Sequence, residues 1–345
     1  MNSLRLSLSA LALVVGLVSA QPAPAQKAPG QSPQAVELQR RFAQQFDRPR
    51  VPLDTRLVSR ETRGELVIEQ VSFASERDMR VPALVVRPAK PPRALAAVVC
   101  LHGLGGKKEG MLPYLEEMAR RGLLAIAIDA RCHGDRADDL RARMVETYKG
   151  APGRPYLWDT VWDTWRTLDY LQSRSDVDGA RLGVMGISLG GHTTWMASAD
   201  PRVKVAIPCI SACSWRWQLE SGGYAQRVKN VSKAYEGVAA AMGEKEITAR
   251  VVREAWKKWH PGIPETYDCQ DLLAAFAPRP LLLINGDSDP VAPLEGLKIA
   301  QDTIAAAYRK AGFPEREQLN LAENSGHTIT ASQKEAILKF LCQWL

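Results

Sequence analysis

Residues 182–191 read Leu-Gly-Val-Met-Gly-Ile-Ser-Leu-Gly-Gly, a short apolar run that delivers Ser188 between glycines. A strand ending at Ile187 must reverse into a helix within about one residue. That reversal forces strained dihedrals on Ser188 and needs neighbours without a Cβ where the turn closes. The segment therefore predicts a sheet with a serine hydroxyl raised above its edge. A five-residue pattern of this kind also arises by chance, so its weight depends on whether the chain supplies a base, an orienting acid and donors for an oxyanion.

All three are present. Residues 279–286 form a continuous apolar run, read as a buried strand, and are followed by Asp287-Ser288-Asp289-Pro290. Asp289 completes a Gly-x-x-Asp spacing and is expected to orient a histidine. Asp287 comes too early in the turn and is expected to cap backbone N–H groups. Residues 317–322 alternate as a last strand, after which a small-residue loop presents His327 ahead of a helix over 331–345. Upstream, residues 95–101 read as another buried strand running into His102-Gly103-Leu104-Gly105-Gly106. The backbone N–H groups of Leu104 and Leu189 are the expected oxyanion donors. His102 is expected to hold its loop by hydrogen bonds, since no second base is required.

These segments, together with Asp129-Ala130-Arg131-Cys132-His133-Gly134-Asp135-Arg136 and Asp200-Pro201-Arg202-Val203, resemble an α/β-hydrolase of the dienelactone hydrolase-like and acetyl xylan esterase-like group. The likeness spans about residues 64–345. The order Ser188, Asp289, His327 is the chain order of that superfamily. The resemblance implies a serine esterase acting through an acyl-enzyme, with no metal or organic cofactor. Dienelactone hydrolase proper carries cysteine at the elbow, so the serine here argues for ordinary ester hydrolysis and against transfer of lactone specificity.

The reading along the chain is an α/β-hydrolase fold: a mostly parallel, eight-stranded sheet with helices on both faces and a helical lid insertion. Two strands, 64–73 and 81–87, open it antiparallel. Strands 94–101, 123–129, 181–187 and 203–210 then alternate with helices as right-handed βαβ units. Residues 61–345 form the catalytic domain, and residues 21–60 a linker and N-terminal extension with a short helix at 35–46. The insertion, at about 211–268, is expected to carry helices at 224–242 and 247–259. Its Trp215, Trp217, Tyr224, Trp256 and Trp259, and Trp158 in a second candidate wall at 154–159, are candidate substrate contacts. Asp129 and Arg131 are expected to pin the His133 loop, Asp163, Arg166 and Asp169 to pair along a helix, and His192 to be a hydrogen-bonded helix residue.

Residues 1–20 carry Arg5, an apolar stretch and Val18-Ser19-Ala20, the pattern of a secretory signal, which implies a periplasmic or extracellular protein. The apolar stretch is too short for a membrane span, and no cysteine follows to take a lipid, so no stable membrane anchor is expected. The six cysteines are scattered as core residues would be, with a Cys213–Cys269 clip as the alternative. No Cys-x-x-Cys pair or histidine cluster suggests zinc. The net charge of +7 comes from Lys and Arg interspersed with acids, which reads as solvated surface and argues against nucleic acid as a partner.

The expected partner is thus a small-molecule or carbohydrate ester, with acetyl groups on polysaccharide as the favoured class. Three alternatives stay open on the sequence: a peptidase of the prolyl oligopeptidase type, a lipase or thioesterase, and a catalytically silent binding protein on the same fold.

Overall fold

The computed structural model describes residues 30–46, 48–91, 93–150 and 156–345. The expected signal segment 1–20 lies outside the described residues. Within them, the strands are β1 (Arg56–Arg63), β2 (Leu66–Glu76), β3 (Met79–Pro88), β4 (Leu95–Leu101), β5 (Leu124–Ile128), β6 (Val177–Ile187), β7 (Val203–Cys209), β8 (Leu281–Gly286) and β9 (Glu317–Ala322). They form one nine-stranded sheet in the order β1-β2-β3-β5-β4-β6-β7-β8-β9. The pairs β1–β2, β2–β3 and β3–β5 are antiparallel, and the rest are parallel.

The sheet thus has nine strands where the sequence suggested eight. The extra one, β1, reads Arg-Leu-Val-Ser-Arg-Glu-Thr-Arg and is exposed along its whole length. It has no apolar face to reveal it, and its backbone ladder with β2, with ion pairs from Arg60 to Glu69 and from Arg63 to Glu116, holds it in the sheet. Charged side chains on such an edge discourage pairing with another chain. Residues 56–60 consequently belong to the sheet and not to a linker.

Elsewhere the period-2 rule distributes side chains to two cores. Ala97, Val99 and Leu101 of β4 join one cluster with Trp162, Trp165, Trp195 and Leu168, while Ala96, Val98 and Cys100 join the other with Leu115, Met118, Ile337 and Leu341. Helices therefore cover both faces: Tyr156–Gln172, Leu189–Ala197 and Leu294–Ala311 on one, Leu112–Arg120 and Ala331–Trp344 on the other. Strand order reverses at β4, whose neighbours are β5 and β6. A crevice opens at the carboxyl ends of strands where such a reversal occurs. The His102 loop and the Ser188 turn both end strands at that point.

The insertion differs in detail from its expected form. It contains helices Trp215–Ser221, Ala225–Asn230, Ser232–Ala241 and Ala249–Trp259. The expected single helix over 224–242 is broken at Val231, a β-branched residue whose φ of −139° and ψ of 41° leave the helical region. A further helix, Leu140–Tyr148, packs against the last two of these and was not foreseen, because its apolar positions are too sparse to show a helical stripe.

Candidate active site

At the end of β6 Ser188 has φ 56° and ψ −108°, and its N–H donates to the Cys209 carbonyl at 3.0 Å. A positive φ is costly for a residue with a Cβ, so the surrounding packing must impose it. Two glycines make that packing feasible. A Cβ at Gly186 would collide with the Gly190 carbonyl and Thr194, and one at Gly190 with the carbonyls of Leu101 and His102.

The structure brings Ser188, His327 and Asp289 together although 139 residues separate serine and histidine. Ser188 Oγ lies 2.8 Å from His327 Nε2, and His327 Nδ1 lies 2.8 and 2.9 Å from the two Asp289 carboxylate oxygens. A carboxylate only accepts, so Nδ1 carries the proton and Nε2 is left to accept the serine hydroxyl. Asp289 is 2% exposed and also accepts the N–H groups of Val291 and Ala292, which fix its orientation. Asp287 takes the other part expected of it. Its carboxylate accepts the N–H groups of Asn324 and Ser325 and so tethers the loop that carries His327.

On the opposite side, Gly103 packs against the elbow, where a Cβ would lie 3.6 Å from that of Ser188. His102 Nε2 accepts the Ala130 N–H at 3.1 Å, so its Nδ1–H donates to the Gly103 carbonyl at 2.8 Å. Burial lowers the His102 pKa and keeps the ring neutral for this bracing task. Asp129 accepts from the N–H groups of Lys108 and Asp135, which pins the next loop as expected. Asp163 pairs with Arg131 and Arg136 in place of a partner on its own helix, whereas Arg166 and Asp169 do pair along it.

Ser188 opens into a cavity of about 90 Å³ whose wall includes Leu104, Leu189, His192, Val291 and several residues of the insertion. Trp215, Trp256 and Trp259 are among them. Trp217 is not: its ring fills the space beside Gly223 and Gly296. Tyr224 packs partly buried against the core, and Trp158 turns inward onto Phe42 and Phe46 with ring centroids 5.6 and 4.8 Å away. Of the wall expected at 154–159, residues 154 and 155 lie outside the described residues; Met144 of helix Leu140–Tyr148 lines the cavity. A larger cleft of about 970 Å³ adjoins the serine cavity, sharing Leu104 and Asn230 with it, and runs along residues 138–146 and Lys229 to Lys233.

Two further residues of the cavity wall, Arg227 and His260, give it a polar end together with His192. His192 had been read as structural, and it does hydrogen-bond: Arg227 Nη1 donates to its Nε2 at 2.9 Å. Burial, reinforced by Arg227, holds the His192 pKa well below the ordinary value and that of His260 at about 3. Both rings are therefore neutral at pH 7. Neither Arg227 nor His260 is marked in the sequence, since neither belongs to a motif and only the fold brings them to the serine. No group of three or more His, Cys, Asp or Glu side chains among the described residues could hold a metal ion. All six cysteines, Cys213 and Cys269 included, are free thiols, and Cys342 is exposed on the last helix and does not belong to the core.

A mixed sheet with a strained serine at the strand-order reversal and an acid–histidine pair beside it defines an α/β-hydrolase. Residues 98–339 match the alpha/beta hydrolase family, and the chain belongs to it. Among its relatives, the presumptive hydrolase YtaP of Bacillus subtilis (strain 168) is 25% identical over 310 residues, covering 86% of this chain and 94% of its own length. In solved structures the same fold recurs in acetyl xylan esterase 1 from Thermoanaerobacterium sp. JW/SL YS485, with a TM-score of 0.65 at 17% identity over 92% of this chain and 95% of that one. It recurs too in a glucuronoyl esterase from Solibacter usitatus, with a TM-score of 0.64 at 15% identity over 91% and 93%.

Proposed function

We propose that this protein is an exported serine esterase that cleaves short acyl groups from a larger alcohol, such as a carbohydrate. The observation that carries the reading is the Ser188–His327–Asp289 relay, with both contacts at 2.8 Å, at the mouth of a small cavity. Ser188 Oγ attacks the ester carbonyl while its proton passes to His327 Nε2, and Asp289 steadies the imidazolium that forms. The N–H groups of Leu104 and Leu189, on the cavity wall beside the serine, are the donors for the tetrahedral oxyanion. His327 returns the proton to the leaving alcohol. Water then attacks the acyl-enzyme, giving one proton to His327 and on to Ser188, and the free acid departs.

The two cavities support a division of the substrate. About 90 Å³ is far below the roughly 300–1,000 Å³ of pockets that enclose drug-sized ligands, so the serine cavity suits a small acyl group such as acetyl. The adjoining cleft, at about 970 Å³, is large enough for a sugar-sized alcohol. The carbohydrate esterases sharing the fold are consistent with that class, and the pattern of residues 1–20 supports export.

The test is hydrolysis of a p-nitrophenyl ester series from acetyl to palmitoyl, with fluorophosphonate labelling alongside. Activity should be greatest at the short end. Ser188→Ala should lower kcat by on the order of 10⁶ and abolish the label without shifting Tm. Equal turnover by wild type and Ser188→Ala would show the serine is not the nucleophile, and a long-chain optimum would favour a lipase.

A further inference from the structure

The serine cavity holds an electrostatic surplus that the acyl transfer does not use. Arg227 donates from Nε to Gln218 at 2.6 Å and from Nη1 to His192 at 2.9 Å, and its guanidinium lies 4.6 Å from the Trp215 ring centroid. Its Nη2 is buried and has no acceptor. Among the described residues no carboxylate approaches Arg227 within ion-pair distance, and the cavity wall contains neither Asp nor Glu. Other buried arginines are provided for. Arg48, Arg136 and Arg166 each also leave one nitrogen unpaired but face a carboxylate, and Arg279, which has none, donates to four backbone carbonyls.

Two more groups in the same wall are unsatisfied. His260, 5% exposed, leaves Nδ1 without a partner, and Trp215, 2% exposed, leaves its indole N–H without one. Burying a polar nitrogen unpaired is costly, and more so when it is charged. Three such groups around one small cavity are unfavourable for folding alone. They become favourable if a ligand brings acceptor oxygens and a negative charge.

We infer that the polar end of the serine cavity, formed by Arg227, His260 and Trp215, is a carboxylate subsite, so that the preferred acyl group is short and ends in a carboxylate, as in a monoester of a small dicarboxylic acid. This rests on Ser188 being the esterase nucleophile. Small rotations that turn the buried Nη2 and ring N–H groups to the cavity would let the carboxylate take them, while the ester carbonyl at the other end of the acyl chain meets Ser188. The bond that breaks is the ester bond of the proposed reaction, and the subsite contributes binding only.

The experiment compares monomethyl succinate with methyl butyrate, nearly equal in size and differing in the terminal carboxylate, by base uptake in a pH-stat at pH 7. Wild type should favour the succinate by about tenfold to a hundredfold in kcat/KM, the range of hydrogen bonds to a charged group. In Arg227→Met that ratio should fall to near one or below, and in Arg227→Lys it should be partly kept. Independently of any variant, propionate should inhibit wild-type hydrolysis of methyl butyrate at concentrations at least about tenfold lower than propionamide. Equal preference for the two esters in wild type, a ratio unchanged in Arg227→Met, or propionate no stronger than propionamide overturns the subsite. Failure of methyl butyrate itself as a substrate would instead count against the esterase reading.

Discussion

Two buried charged regions flank the serine edge of the sheet, and they are built in opposite ways. Behind the His133 loop, Asp163 is fully buried between Arg131 at 2.7 Å and Arg136 at 2.6 Å, Arg131 also reaches Glu76 at 2.7 Å, and Arg48 joins Glu76 to Asp159. Each charge there has an opposite charge as neighbour. In the serine cavity the lone cation Arg227 meets only neutral partners, Gln218, His192 and the Trp215 face. The first arrangement is complete without a ligand and ties the end of β2, at Glu76, and the loop after β5, at Arg131 and Arg136, to helix Tyr156–Gln172. The second leaves its charge without a counterion among the described residues, which is the feature the proposed carboxylate subsite rests on.

This contrast can be broken by stability measurements. The largest effect is expected at Asp163. Asp163→Asn strands the Arg136 guanidinium and leaves Arg131 with Glu76 alone at close range, and should cost about 3–5 kcal/mol in chemical denaturation. A loss under 1 kcal/mol would mean the network is not buried in solution. A smaller effect follows with pH. Burial alone would raise the Asp163 carboxyl, but Arg136 and Arg131 outweigh it and hold the pKa at about 2, below the ordinary value of 3.8. A group that binds its proton more weakly folded than unfolded stabilises fully above its unfolded pKa. Its contribution, about 2 kcal/mol, is then lost as pH falls from about 4 toward 2. Denaturation curves over that window should show this slope in wild type and a weaker one in Asp163→Asn.

The smallest effect is expected at Arg227. Removing a partly buried cation that has no counterion relieves its desolvation and forfeits a cation–π contact and the hydrogen bonds to Gln218 and His192, so Arg227→Met should stay within about 1 kcal/mol of wild type. If it destabilised as much as Asp163→Asn, Arg227 would be a structural residue and the two regions would be alike.

The sequence was most legible where chemistry constrains the backbone. The elbow could be read because only glycines tolerate the contacts at positions 186 and 190, and Asp289 could be preferred over Asp287 because the turn length decides which carboxylate reaches His327. It was least legible where a residue's role depends on what lies across a gap. Strand β1 has no apolar face, and the three tryptophans that line the cavity carry no mark separating them from Trp158, Trp217 and Tyr224, which do not. Arg227 and His260 belong to no motif, and their neighbours in the chain give no sign of what they face.

By itself, then, the order of apolar runs, glycines and polar loop residues determined an α/β sheet with Ser188, Asp289 and His327 at the ends of three strands. Local sterics and strand periodicity are short-range and leave a trace in neighbouring residues. Only the tertiary structure decided which side chains of the insertion and of helix Leu140–Tyr148 close over the serine, how small the acyl cavity is, and that a buried arginine there lacks a counterion. Burial and pairing are properties of contacts between distant segments, and the sequence around Arg227 carries no record of them.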